Sequence, residues 1–191
     1  QINDPIYGRV QVNVHIVHGA YTPDDELNRK KYEKEQDAQS SLAEQTFFVG
    51  MRSAQVALYS GHSRNGGGPD FRPPLMSGNH VNYPWYEAHQ PGLRAVINNL
   101  KLRQDPLDLF GMFSCYSRGH FSGALKSASP KTGTIFGFGE SWFNADTLIT
   151  GTMNAILRRS CQNEFNLIFK DVEHQGKPQF FLSGFWPESG S

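Results

Sequence analysis

The chain has 191 residues and a formal net charge of zero, since 18 Lys and Arg balance 18 Asp and Glu. This length is typical of one domain with its own core, so we expect a single domain over residues 1–191. The charge balance argues against nucleic-acid binding, which needs a basic excess. Aromatic residues make up 13% of the chain, which argues against intrinsic disorder.

No run of about 18 apolar residues occurs, so we expect no insertion into a membrane. The chain begins at Gln1 without a secretory signal pattern, and we interpret it as a fragment that lacks an upstream strand or domain. Two cysteines, Cys115 and Cys161, do not make a disulfide framework, and the compartment stays open.

The first elements alternate in type. Residues Arg9–Val17 alternate apolar and polar side chains, which predicts a half-buried strand. Thr22 as N-cap and Pro23 at the first position then predict the start of a long, largely solvated helix that ends near Phe48.

The middle of the chain begins with Ala54–Tyr59, a short apolar run that predicts a buried strand. A Gly-rich turn follows, in which we interpret Gly66–Gly68 as a flexible lip over a cleft. Residues Phe71–Pro91 have no clean period and predict an irregular loop, and Gly92–Leu102 predicts an amphipathic helix.

The predicted elements of the second half are strands at Leu107–Phe113 and Thr134–Gly139, a helix at Asp146–Arg159, a helix or strand up to Phe169, and a strand at Phe180–Leu182. Between them, the small polar residues Lys126–Gly133 predict an exposed, cleavable connection. Strands that alternate with helices predict an α/β fold, a three-layer sandwich with a mostly parallel central sheet.

Chemistry in such folds lies beyond the carboxyl ends of the strands. His62 and Cys115 follow two successive buried strands. If these strands are neighbours, their ends lie about 5 Å apart and both side chains can face one cleft. A thiolate is a strong nucleophile, and an adjacent imidazole can carry the proton that leaves or returns.

This arrangement resembles the caspase-like cysteine peptidases, which include caspases, metacaspases, legumains, gingipains, clostripain and separase. The resemblance covers about residues Val10–Leu157 as an order of strands. It implies a cysteine endopeptidase with His62 as catalytic histidine and Cys115 as nucleophile, acting on peptides or proteins without a cofactor or metal. It also implies an oxyanion hole formed by backbone N–H groups near Ser63 and Cys115.

Two departures from the family pattern concern the site. Ser63 stands where the family usually has Gly, and the Gln-Ala-Cys-Arg-Gly signature of true caspases is absent. The resemblance is therefore to the superfamily and not to the caspases themselves.

The resemblance also suggests a pocket for the residue before the cleaved bond, with Ser141 and Trp142 beside it. Acidic side chains there would favour cleavage after Arg or Lys, and the acidic residues available are Asp70, Glu140 and Asp146. Each of the three could equally be an ordinary surface acid.

Three alternatives stay open at this point. His18, which also ends an apolar run and precedes a Gly, competes with His62 for the catalytic role. The chain could be a catalytically silent relative that serves as a binding or scaffold module. The aromatic cluster of Tyr83, Trp85 and Tyr86 is either core packing or a substrate platform.

Overall fold

The structure is a computed structural model that describes residues 1–4, 8–23, 25–139, 145–160, 162–170 and 180–183. Its strands are β1 (Ile2–Asp4), β2 (Gly8–Val10), β3 (Val56–Ser60), β4 (Met76–Ser77), β5 (His80–Val81), β6 (Leu109–Phe113), β7 (Gly133–Gly137) and β8 (Phe180–Ser183). Its helices are α1 (Asp25–Lys31), α2 (Glu33–Gly50), α3 (Tyr83–His89), α4 (Pro91–Lys101), α5 (Ser117–Ala128), α6 (Ala145–Leu157) and α7 (Gln162–Lys170).

The central sheet has the strand order β3–β6–β7–β8 within the described residues. The pairs β3–β6 and β6–β7 are parallel, and β8 runs antiparallel to β7. This arrangement confirms the prediction of an α/β fold with a mostly parallel sheet.

Both faces of the sheet are covered by helices. Alternate side chains of a strand point to opposite faces. On β6, Phe110 and Met112 pack in a core with residues of α4 and α5, whereas Leu109 and Phe113 pack with residues of α6 and α7. Burial on both faces explains why β6 is apolar throughout instead of alternating.

The predicted strand over Arg9–Val17 is wrong beyond Val10. β2 ends at Val10 and pairs antiparallel with β1, while residues 11–17 form no strand in the part of the chain that is described. Val14 is exposed, and Ile16 is 82% exposed. Alternation indicates which face a strand would bury, but a strand also needs a neighbour to supply hydrogen bonds and packing.

The long helix after this segment is confirmed, with two differences. It is divided into α1 and α2 at Tyr32, whose φ of −122° and ψ of 34° leave the helical region. It also begins at Asp25, so Thr22 is not its N-cap. The Thr22 hydroxyl instead donates to the Asn28 side-chain oxygen at 2.6 Å.

The region predicted as an irregular loop contains the β4–β5 hairpin and α3. Asn82 caps α3, because its side-chain oxygen accepts a hydrogen bond from the Trp85 N–H at 3.2 Å. Pro84 lies in the first turn, where the missing N–H costs no helical hydrogen bond.

The residues before the predicted cleavable connection form a helix that sequence reasoning missed, α5. Lys126 lies in the last turn of α5, so part of that connection is helical. The predictions of α4, α6, β7 and β8 are confirmed, and the segment left open as helix or strand is α7.

Candidate active site

The carboxyl ends of β3 and β6 lie side by side. Ser60 is the register partner of Phe113, and the Gly61 N–H donates to the Phe113 carbonyl at 3.3 Å. His62 and Cys115 each follow two residues after the Ser60–Phe113 pair. Neighbouring strands are about 4.8 Å apart, so both residues lie just beyond the same carboxyl end of the sheet. The prediction that their strands are parallel neighbours is confirmed.

Cys115 lies in the turn that joins β6 to α5. It is half-buried and forms no disulfide. Tyr116 adopts a left-handed conformation with a φ of 51°, which turns the chain into α5. The Tyr116 N–H donates to the Gly139 carbonyl at 2.9 Å, so this turn is tied to the end of β7.

His62 is exposed and begins the loop that follows β3. Its carbonyl accepts a hydrogen bond from the Tyr59 hydroxyl at 3.2 Å. The same proton is shared with the Asp70 carbonyl at 2.9 Å, and the hydroxyl oxygen accepts from the Asp70 N–H at 3.1 Å. Burial raises the pKa of Tyr59 well above its usual value, so the hydroxyl keeps its proton.

A buried ion pair closes the same loop. Arg64 Nε donates to Asp70 Oδ2 at 3.0 Å, and the Tyr86 hydroxyl donates to that oxygen at 3.1 Å. The backbone N–H of Arg72 donates to the other carboxylate oxygen, Oδ1, at 3.1 Å. The Asp70 carboxylate is therefore held by three donors.

The glycines at 66–68 are buried, so the prediction of a flexible lip over the cleft is wrong. A Cβ at Gly67 would lie 2.7 Å from a ring carbon of Tyr86, and one at Gly68 would lie 2.7 Å from the His62 carbonyl oxygen. Glycine is required here because other groups pack directly against the loop backbone.

His120 of α5 packs against this loop. A Cβ at Gly66 would come within 3.3 Å of His120 Nδ1. Burial lowers the pKa of His120, and the carboxylate of Glu87 acts in the opposite direction. The helix that begins beside Cys115 is thus in contact with the loop that begins at His62.

A cleft of about 330 Å³ opens beside the end of β3. It is lined by Val17–Ala20, Gln36, Tyr59–His62, Arg64 and Asp70–Pro73. His18 and His62, the two histidines weighed for the catalytic role, both line it. Cys115 does not belong to the described residues that line this cleft.

His18 is engaged with its own segment and with α2. Its Nδ1 lies 2.8 Å from the Ala20 carbonyl oxygen, and its carbonyl accepts from the Gln39 side chain at 2.6 Å. Gln36 donates to the neighbouring Gly19 carbonyl at 2.6 Å. These bonds fix one wall of the cleft to α2.

The other predicted site residues divide into two groups. Ser63 is buried, and its carbonyl accepts the N–H bonds of Gly66 and Gly68 at 3.0 and 2.9 Å. The predicted substrate-binding residues Glu140, Ser141 and Trp142 lie outside the described residues, as does the Asp146 side chain.

The three aromatic residues of α3 have different environments. Tyr86 is buried, Trp85 is half-buried and stacks on His89 with ring centroids 4.5 Å apart, and Tyr83 is exposed. Tyr86 therefore belongs to the core, and the other two leave a partly exposed aromatic surface.

Sequence reasoning missed Tyr59 and Arg64 as site residues. The available signal was a tyrosine at the end of a buried strand, because a buried hydroxyl needs a hydrogen-bond partner. For Arg64, the sequence offered an acidic residue nearby but no indication that the loop folds back on itself.

Comparison with protein-family models, with curated proteins and with solved structures gave no match. Among the described residues, no helix is both long and apolar enough to cross a membrane. The same part of the chain contains no group of three or more His, Cys, Asp or Glu residues that could hold a metal ion.

Proposed function

We propose that the protein is a caspase-like cysteine endopeptidase, with Cys115 as nucleophile and His62 as general acid and base. One observation carries this proposal. The residue-by-residue parallel pairing of β3 with β6 makes His62 and Cys115 start from the same edge of the sheet. The contact of His120 with Gly66 supports it further, because it joins the His62 loop to the helix beside Cys115.

In the proposed reaction, the Cys115 thiolate attacks the carbonyl carbon of a peptide bond and forms a C–S bond. The carbonyl oxygen takes the displaced electron pair and is stabilised by backbone N–H groups at Ser63 and Cys115. The C–N bond then breaks, and the His62 imidazolium gives its proton to the departing amine.

Hydrolysis of the resulting thioester restores the enzyme. His62 takes a proton from a water molecule, whose oxygen attacks the thioester carbonyl carbon. The C–S bond breaks, the carboxylic acid product leaves, and the thiolate and imidazolium are regenerated. The reaction needs no redox partner or metal.

The proposal includes cleavage after Arg or Lys, with Asp70, Glu140, Ser141 and Trp142 at the substrate pocket. Support for this preference comes from the position of Asp70 in the wall of the cleft. Because the Asp70 carboxylate also pairs with Arg64, peptides with Arg, Lys, Asp or Asn before the cleaved bond should be compared directly.

The decisive experiment uses peptide substrates and a thiol-reactive peptide probe. We expect the probe to label Cys115 in the wild type and Cys115→Ala to lose both labelling and cleavage. His62→Ala should lower kcat by about 10²–10⁴-fold, as expected for loss of a general acid and base. His18→Ala is the matched control and should keep most activity.

Two results would change the assignment. Loss of activity in His18→Ala but not in His62→Ala would make His18 the catalytic histidine. A wild-type chain that neither cleaves these peptides nor reacts with the probe would support the binding or scaffold module instead.

A further inference from the structure

The hydroxyl of Tyr59 lies against Gly61 and His62, at the start of the loop that follows β3. It shares its one proton between the His62 carbonyl at 3.2 Å and the Asp70 carbonyl at 2.9 Å. A Cβ at Gly61 would come within 2.5 Å of the same oxygen, so the hydroxyl occupies the space beside Gly61. Tyr59 therefore contacts the backbone on both sides of the peptide bond that leads into His62.

Tyr59 itself is firmly held. It is 3% exposed, and its ring packs against Phe47 and Phe71 with centroids 6.0 and 5.4 Å apart. Its hydroxyl also exchanges hydrogen bonds with the backbone of Asp70, whose carboxylate is paired with Arg64. Because both its ring and its hydroxyl are held by neighbouring groups, Tyr59 resists movement of the backbone to which it bonds.

His62 is exposed and lies beyond the end of β3, so support of its backbone affects where the residue lies. A shift of the His62 backbone would move its imidazole with it. Proton transfer requires donor and acceptor within hydrogen-bond reach, and misplacement by about 1 Å can cost 100-fold in rate.

We infer that Tyr59 is the positioning residue for His62, which it holds in place through the hydrogen bond from its hydroxyl to the His62 carbonyl. This inference rests on the proposed function of His62 as general acid and base. It assigns to the Tyr59 hydroxyl an effect on kcat that exceeds its effect on KM, although Tyr59 also lines the cleft.

The test compares Tyr59→Phe with Tyr86→Phe. Each variant removes one hydroxyl from the network around Asp70, but the Tyr86 hydroxyl bonds to the Asp70 carboxylate and the Leu75 N–H and not to His62. We expect Tyr59→Phe to lower kcat by at least tenfold with KM within twofold of wild type. Tyr86→Phe should keep kcat within about twofold.

A second measurement separates this inference from the proposed function. In protein labelled with ¹⁵N-histidine, the ring signals of His62 are assigned by their loss in His62→Gln. Tyr59→Phe should shift or broaden these signals, and Tyr86→Phe should leave them unchanged.

Equal losses of kcat in both variants, or His62 signals that stay at their wild-type positions in Tyr59→Phe, would overturn the inference. If the wild type cleaves no peptide, the proposed function fails. The His62 signals then decide the role of Tyr59 alone.

Discussion

Arg64 Nε lies 3.0 Å from Asp70 Oδ2, and the two side chains are only 7% and 12% exposed. Arg64 and Asn65 both adopt left-handed conformations with φ of 49°, which cost free energy in residues other than glycine. The ion pair joins Arg64 to a residue six positions later and so closes the loop on itself. The shape of the loop that begins at His62 therefore depends on an electrostatic contact.

The first prediction concerns this pair. Asp70→Asn should lower the free energy of unfolding by about 3–5 kcal/mol, because it leaves the Arg64 charge buried without its partner. Urea denaturation measures the change. Glu44→Gln, which breaks the exposed pair with Arg72, is the control and should cost at most about 1 kcal/mol. Equal losses in the two variants would contradict the prediction.

Two buried serines on either side of Cys115 should respond differently to alanine. The Ser117 hydroxyl donates to the Met112 carbonyl at 2.8 Å and accepts from the Gly137 N–H at 2.7 Å. Ser117→Ala should therefore cost about 1–3 kcal/mol, since two buried backbone groups lose their partner.

Ser114 is the matched comparison. Its hydroxyl is buried and has no hydrogen-bond partner among the described residues. Ser114→Ala should leave the free energy of unfolding unchanged or raise it by up to about 1 kcal/mol, because an unsatisfied polar group is removed. Chemical denaturation of both variants checks the pair, and a loss in Ser114→Ala as large as that in Ser117→Ala would refute it.

A third prediction concerns pH. Burial lowers the pKa of His120 in the folded protein below its usual 6.5, with Glu87 partly opposing. As pH falls through 6.5, His120 therefore binds a proton more readily in the unfolded chain than in the folded protein. The free energy of unfolding should decrease over this range. His120→Gln should reduce the loss of stability between pH 7.5 and pH 5, measured by urea denaturation at each pH.

His15→Gln provides the control for this pH effect. His15 is exposed and lies outside the packed core, whereas His120 is partly buried. This variant should lose as much stability between the two pH values as the wild type does. A pH dependence in His120→Gln that matches the wild type would show that His120 makes no contribution.

The parallel strands could be predicted because burial, on both faces for β6 and partly so for β3, leaves a direct mark on the sequence. β3 and β6 are short apolar runs that end in small polar residues, and their predicted bounds differ from the observed ones by two residues or fewer. Once the strands are parallel neighbours, the rule that sites lie at their carboxyl ends nominates His62 and Cys115.

α5 was missed because its sequence favours a helix only weakly. Ser and Gly residues occupy much of the segment, and both residue types have low helix propensity. The helix forms because Phe121 and Leu125, four residues apart, are both buried in the core. Packing of this kind depends on residues distant in the sequence, so it leaves no local pattern.

The contacts that support the site could not be predicted, for a related reason. Tyr59 meets Asp70, and Arg64 meets the same residue, only because the loop folds back across glycines. Such contacts have no period and no fixed spacing. The sequence therefore indicates which residues lie at the edge of the sheet, but not what holds them there.

Parallel strands cannot be joined by a hairpin, and the chain between β3 and β6 must pass through α3 and α4 before it returns. During synthesis, His62 leaves the ribosome well before Cys115. Docking of β6 against β3 has to overcome the entropy of closing this crossover. The strand ends that precede His62 and Cys115 therefore come together only when this crossover has closed.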